Sequence, residues 1–115
     1  MDTVIAITEL ELADGVKADN FEQFALEHYL PTVATLGMTV SLLRGNRGER
    51  DRRFLLVEEF ASVEHRNRLF PGSETPSLEV SRWIETHQAQ VAAWNAQVAS
   101  AHLTHYVLCG RSAAT

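Results

Sequence analysis

Four short segments of this sequence are apolar on both faces of an extended chain, and only two stretches offer helices to cover them. Val4-Ile5-Ala6-Ile7, Leu42-Leu43, Phe54-Leu55-Leu56-Val57 and Val107-Leu108-Cys109 lack the apolar–polar alternation of a half-wetted antiparallel strand. They sit in segments whose β-branched and aromatic content reads as strand, over residues 3–12, 38–44, 53–60 and 102–109.

Turn and cap residues divide the rest. Ala13-Asp14-Gly15 supplies a turn, and Asn20 with Gln23 three residues later has the form of a capping box opening a helix to about Leu36. Pro31 lies inside that helix and should kink or split it. Gly37 stands where a C-cap glycine belongs. The segment Gly45 to Arg52 is a polar hairpin connection. Ser62 caps a short helix to about Phe70, Pro71-Gly72 ends it, and Thr75-Pro76 restarts a helix with proline at its first position, running to about Ser100. A tail of small residues closes the chain.

The resulting order is strand, helix, strand, strand, helix, strand: an α+β, ferredoxin-like βαββαβ domain over residues 1–110, with a C-terminal tail at 111–115. Two right-handed crossovers place both helices on one face of an antiparallel sheet. The other face would leave an apolar patch larger than soluble monomers usually carry. A second copy packed sheet to sheet removes the problem, giving a dimeric α/β barrel. The alternative is that the tail or the long helix wraps round to cover that face.

Composition narrows the partners. A chain of 115 residues fits one domain, and its net charge of −5 argues against nucleic acid or an anionic membrane, which need a basic face. No apolar run approaches the roughly 20 residues needed to span a bilayer. The start, Met1-Asp2-Thr3, lacks the basic-then-apolar pattern of a signal peptide, and the one cysteine, Cys109, precludes an intrachain disulfide. A cytoplasmic location is expected. Cys109 reads as a small core residue. Neither a GxGxxG nor a P-loop occurs, and no His or carboxylate spacing suggests a metal site, so neither metal nor cofactor is expected.

Phe21-Glu22-Gln23-Phe24 leading to Glu27-His28-Tyr29-Leu30-Pro31 is similar to the first helix of EthD-like proteins. Phe54-Leu55-Leu56-Val57-Glu58-Glu59-Phe60-Ala61-Ser62 is similar to the third strand and serine cap of the wider dimeric α/β-barrel superfamily, which includes antibiotic-biosynthesis monooxygenases, haem-degrading monooxygenases and stress-responsive barrel proteins. With the element order, the chain thus resembles that superfamily over nearly its whole length. The resemblance implies a homodimer with a small-molecule pocket between the sheet and the helices of each subunit. It transfers no catalytic residue, and the Asn/Trp/His set of the haem-degrading members has no counterpart, since strand one has no asparagine.

Candidate chemistry centres on two histidines. Val80, Ile84, His87, Val91, Trp94 and Val98 form one helical stripe with His87 at its middle, a polar ring that burial obliges to find a partner. Phe21, Phe24 and His28 share a face of the first helix, so His28 and His87 could reach one cavity as acid/base or orienting groups. The competing readings are a core histidine bonded to backbone for His87 and a helix-end histidine for His28. Phe24 and Trp83 are candidate apolar walls, and Trp94 a core residue. Arg44, at the end of strand two, could pair an anionic substrate or sit on the rim. His105 and Tyr106 occupy opposite faces of the last strand, and Tyr106 is the candidate pocket residue. The five arginines from Arg44 to Arg53 read as a solvated hairpin. His65 and His102 have no assigned role.

Three functional classes follow. The first is a cofactor-free monooxygenase, isomerase or cyclase acting on a small aromatic or polyketide-like compound. The second is a non-catalytic barrel of ligand-binding or stress-response type. The third is a haem-binding or haem-degrading protein, which requires an axial histidine facing a large cavity.

Overall fold

A computed structural model describes residues 2–47, 53–72 and 76–113. Strand β1 (Val4–Leu12) leads through the turn at Gly15 to helix α1 (Ala18–Phe24), a π-helical turn (Ala25–Tyr29) and helix α2 (Leu30–Ala34). Strands β2 (Thr39–Arg44) and β3 (Arg53–Phe60) follow, then helices α3 (Val63–Leu69), α4 (Leu78–Thr86) and α5 (Gln88–Gln97), and strand β4 (Val98–Val107). The sheet order is β2-β3-β1-β4, every neighbouring pair antiparallel. This is the ferredoxin-like α+β arrangement that the element order predicts.

The ladder registers sort the sheet's side chains into two faces. One carries Val4, Ala6, Leu10 and Leu12 of β1 with Phe54, Leu56 and Phe60 of β3, all buried. The helices cover this face. The other carries Ile5, Ile7, Leu55 and Val57 at its centre, half-buried and with no helix over them, and Leu43 and Tyr106 toward its edges, both exposed. An apolar strip on both sides of β1 and β3 is therefore real.

The core under the helices is two clusters. One gathers Val4, Ala6, Val33, Leu36, Met38, Phe60, Leu69 and Val80. The other gathers Leu10, Leu12, Phe21, Ala25, Leu30, Phe54, Leu56 and Trp94. Tyr29 and Val40 pack against both.

This division explains where the helices depart from the sequence reading. The single helix expected from Pro76 to Ser100 is broken at His87, whose backbone is non-helical (φ −115°, ψ 34°). The segment α4 serves the first cluster through Val80 and Trp83, and α5 serves the second through Trp94. The predicted stripe is cut, and Ile84 is 38% exposed. Strand β4 starts at Val98 rather than residue 102, because β1 extends to Leu12 and its carbonyls and amides demand a partner as far as the Leu12–Val98 pair. Proline 76 lies outside α4, whose N-cap is Ser77, accepting from the Val80 amide.

Pro31 does split the first helix. It falls in the first turn of α2, where a missing N–H costs nothing, and the turn before it widens so that the Leu30 amide bonds to the Ala25 carbonyl, five residues back. The predicted capping box is absent: α1 begins at Ala18 after Lys17, with no side-chain cap, and Asn20 is inside the helix. Gly37 closes α2 with φ +96°, and Ser62 caps α3 by accepting from the His65 amide, both as predicted. Cys109 is exposed beyond β4, not in the core, because the strand leaves the covered sheet there. Most of the arginine-rich hairpin connection lies outside the described residues.

Phe21 is fully buried, with its ring centroid 4.9 Å from Phe54 and 5.0 Å from Trp94. Phe21→Ala should cost about 3–5 kcal/mol, read as a lower urea midpoint. Leu26→Ala, at a half-exposed position on the π-turn, should stay within about 0.5 kcal/mol.

Candidate active site

The polar group that the helix-covered face holds against two apolar clusters is the carboxyl of Glu58. On β3 it stands between Leu56 and Phe60, and its ladder partners are Ala6 of β1 and Val40 of β2. Strand periodicity forces it inward, since Phe54, Leu56 and Phe60 all face the core. Among the described residues it makes no hydrogen bond or salt bridge. No side-chain oxygen sealed from solvent lacks a partner among those residues, so the Glu58 carboxyl keeps a window to solvent. Burial without a counter-charge pushes its pKa up to about 7.

Tyr29 lies beside it. The π-turn ends on this residue, and its ring stacks on Trp94 at 4.0 Å and 10° while meeting Trp83 edge-on at 6.4 Å. Its phenol is pushed up to about 12, by burial first and then by the Glu58 charge, and stays protonated at neutral pH. A single-turn π segment that aims an aromatic residue recurs at functional sites. Trp83 is tied down as well: its indole N–H donates to the Thr32 carbonyl at 2.7 Å. A carboxyl that can gain or lose a proton near neutrality thus lies beside a phenol that can donate to an oxyanion, and the ring of that phenol packs on Trp94 and Trp83.

The residues singled out from sequence do not converge in the same way. His28 is exposed (63% for its side chain), 3.7 Å from Glu27 and close to the Phe24 ring at 6.1 Å. His87 is half-buried at the helix break, packed on Trp83 at 5.4 Å. The two imidazoles have different neighbours, and the π-turn leaves His28 exposed where Phe21, one helical face earlier, is buried. Phe24 and Trp83 are half-buried against the core. Arg44 lies on the helix side of β2 as expected, but is held by Asp19 at 2.8 Å and Glu22 at 3.5 Å of α1, above the Phe54 ring. Tyr106 is on the uncovered face, opposite Ile5, and does not line the helix side; His105, opposite Ala6, does. His65 contacts the Leu36 carbonyl at 3.4 Å and the Phe60 ring, a packing role.

Sequence reasoning passes over Glu58 and places Tyr29, about 100° round the helix from His28, as a packing or rim residue. The signal for Glu58 was present, as the inward parity of Phe54, Leu56 and Phe60 in β3.

An open depression of about 1200 Å³ lies at the far end of the sheet, crossing all four strands along Leu43, Leu55, Glu9 and His102 on the uncovered face. It is the surface that a bare sheet presents, and Glu58 does not line it. No group of three or more His, Cys, Asp or Glu able to hold a metal occurs among the described residues. No helix among the described residues is long and apolar enough to cross a membrane.

No family model matches this sequence, and no curated protein matches it. Solved structures do match the fold. An uncharacterized NIPSNAP domain protein from Burkholderia xenovorans is 10% identical, with a TM-score of 0.69 over 96% of this chain and 99% of that one. A dimeric ferredoxin-like protein from an uncultured marine organism is also 10% identical, with a TM-score of 0.63 over 100% of this chain and 95% of that one. A putative antibiotic biosynthesis monooxygenase from Bordetella bronchiseptica is 17% identical, with a TM-score of 0.55 over 92% and 96%. At these identities the likeness is one of fold: the chain has the ferredoxin-like α+β fold of the superfamily that its sequence resembles.

Proposed function

We propose that this protein is a small-molecule enzyme in which Glu58 moves a proton to and from a carbon acid, with Tyr29 donating to the enolate oxygen that forms. The observation that carries this reading is the unpaired, desolvated Glu58 carboxyl between two apolar clusters, reaching solvent and poised near neutrality. As a base it takes a proton from carbon next to a carbonyl, and the electron pair moves onto the oxygen. Returning the proton to another carbon completes an isomerisation; in a cyclisation the enolate carbon attacks a second carbonyl of the substrate, whose π pair moves to oxygen and takes the proton. In the cofactor-free monooxygenase variant the carbanion reduces dioxygen as co-substrate, forming a C–O bond to a hydroperoxide that takes the proton and then breaks its O–O bond, losing water to leave a new carbonyl. Tyr29, Trp83 and Trp94 suit a small aromatic or polyketide-like compound. Glu58→Gln should cut exchange of the benzylic hydrogens of phenylacetone into heavy water, followed by NMR, by at least 100-fold, and Tyr29→Phe by about 10-fold. Exchange that is unchanged in Glu58→Gln removes the reading. With Glu58 as base, the rate should rise with pH up to about 7 and then level off.

The raised pKa also sets a stability signature. In the unfolded chain Glu58 titrates near 4.5, and in the folded protein near 7. Between those values the folded state holds more protons, so stability falls as pH rises. Below 4.5 both states are protonated and the penalty vanishes; above 7 it is complete, about 3 kcal/mol. Urea melts of Glu58→Gln against the native chain from pH 4 to pH 8 should show the variant gaining relative stability by about that amount.

We also propose that the working unit is a cytoplasmic homodimer, closed where the uncovered sheet faces meet. Ile5, Ile7, Leu55 and Val57 support this, as does the dimeric ferredoxin-like relative of similar fold. Sedimentation should give twice the 12.8 kDa chain mass, and Val57→Lys should return the monomer.

A further inference from the structure

We propose that Val40 is the specificity-determining residue of this site: the Glu58 carboxyl opens sideways past Val40, at the outer edge of the sheet, and the width of that opening selects small neutral carbonyl compounds. This deepens, and rests on, the Glu58 reading above. The opening follows from the neighbours of Glu58 on the helix-covered face. Along β3 these are Leu56, 6% exposed, and Phe60, 1% exposed. Across the ladder they are Ala6 on β1, 2% exposed, and Val40 on β2. Three of the four are sealed, and only Val40 is half-buried. Glu58 is itself half-buried and its carboxyl keeps a window to solvent, so within the sheet the side that admits solvent is the side of Val40.

The surrounding layers agree. Strand β2 is the outer strand of the order β2-β3-β1-β4, and its helix-side residues Val40, Leu42 and Arg44 are all half-buried. On the inner strand β1, Val4, Ala6 and Leu10 are buried. The helix layer therefore overhangs β2 only in part. It is tighter overhead, where Leu30 and Val33 of α2 are buried and the Trp83 indole N–H ties α4 to α2 through the Thr32 carbonyl at 2.7 Å.

Val40 makes a firm lip to such an opening. It packs against both core clusters, as Tyr29 does from the helix layer. A β-branched side chain is stiff at χ1, so the lip holds one width. Cross-strand Cβ atoms stand about 4.5–5.5 Å apart, which puts the methyls of Val40 beside the path to the carboxyl. The next helix-side residue, Leu42, is also aliphatic, and the cation after it, Arg44, is held by Asp19 at 2.8 Å and Glu22 at 3.5 Å. An aliphatic lip suits an uncharged molecule, and one methylene more or less in an apolar passage is worth roughly 10–200-fold in selection.

The carboxyl 13C signal of Glu58, titrated in the full chain, reads the opening without any substrate. Burial is what raises this group to about 7. Val40→Ala should therefore lower its midpoint by about one pH unit, and Val40→Phe should raise it. Leu103→Ala, at an exposed position on the helix side of β4, should leave it unmoved. Selection is read by exchange of the benzylic hydrogens of phenylacetone against those of benzyl tert-butyl ketone, which is wider at the carbonyl. Val40→Ala should raise exchange of the wider ketone relative to phenylacetone about tenfold, and Val40→Phe should slow phenylacetone about tenfold. Val40→Thr, which keeps the shape, should keep the native ratio; with Val40→Phe it carries the comparison if Val40→Ala does not fold. A midpoint that ignores the Val40 variants, or a ratio unchanged in Val40→Ala, overturns the assignment of Val40. The Glu58 reading then stands where Glu58→Gln still loses phenylacetone exchange. Exchange that never depends on Glu58 overturns that reading and the specificity role together, even where the midpoint follows Val40.

Discussion

The pairing of β1 with β3 on one side and β4 on the other is the constraint from which the rest of this molecule follows. Being bonded along both edges, β1 fixes the register of three strands at once, and that register decides which side chains share a face. A slip of one residue would turn Glu58 to the uncovered face and move Glu59 beneath the helices. It would also exchange His105 for Tyr106. The candidate site is thus a consequence of strand register before it is a matter of loops or caps, and the buried Val4, Ala6, Leu10 and Leu12 hold the register in place.

Above this floor, the helices are cut to fit two clusters rather than one. A π-turn before Pro31 and a break at His87 are the points where a continuous helix would carry its apolar residues away from the cluster that they serve. The π-turn also delivers Tyr29 onto Trp94 and beside Glu58, while Trp83 is anchored on the Thr32 carbonyl of α2. Both clusters share Tyr29 and Val40, and Glu58 is the ladder neighbour of Val40.

Much of the fold was legible in the sequence, because strand content, Gly37, Pro31 and Ser62 act locally. The range 53–60 for β3 needs no revision, and the two-faced apolar strands survive in Ile5, Ile7, Leu55 and Val57. The continuous helix through His87 was not legible as two pieces. Its period-3.6 stripe survives only through Val80 on one half and Trp94 on the other, with Ile84 exposed, and what divides it is the partition of the core, a long-range fact. The start of β4 was hidden for a similar reason: Val98 to Ala101 has ordinary helical composition and becomes strand because β1 offers it a partner. For the site, the search for polar residues on helical stripes favoured histidines. A glutamate between two apolar strand positions was the sharper signal, since strand parity leaves no freedom about which face it takes.

The presence of a glutamate at that position is the strongest physical argument for function there. A leucine on β3 between Leu56 and Phe60 would join the two clusters into one and remove the cost of keeping a carboxyl from its charged form. A structural carboxyl would be expected to find a donor, as Arg44 finds Asp19 and Glu22 and as Glu59 finds Arg111. Glu58 has none among the described residues, yet Tyr29 is carried up to it by a π-turn. A group held unpaired, partly accessible and close to its titration point is costly as architecture. The same features make it effective as an acid or a base, because the proton it exchanges can be supplied or removed at neutral pH with little driving force wasted.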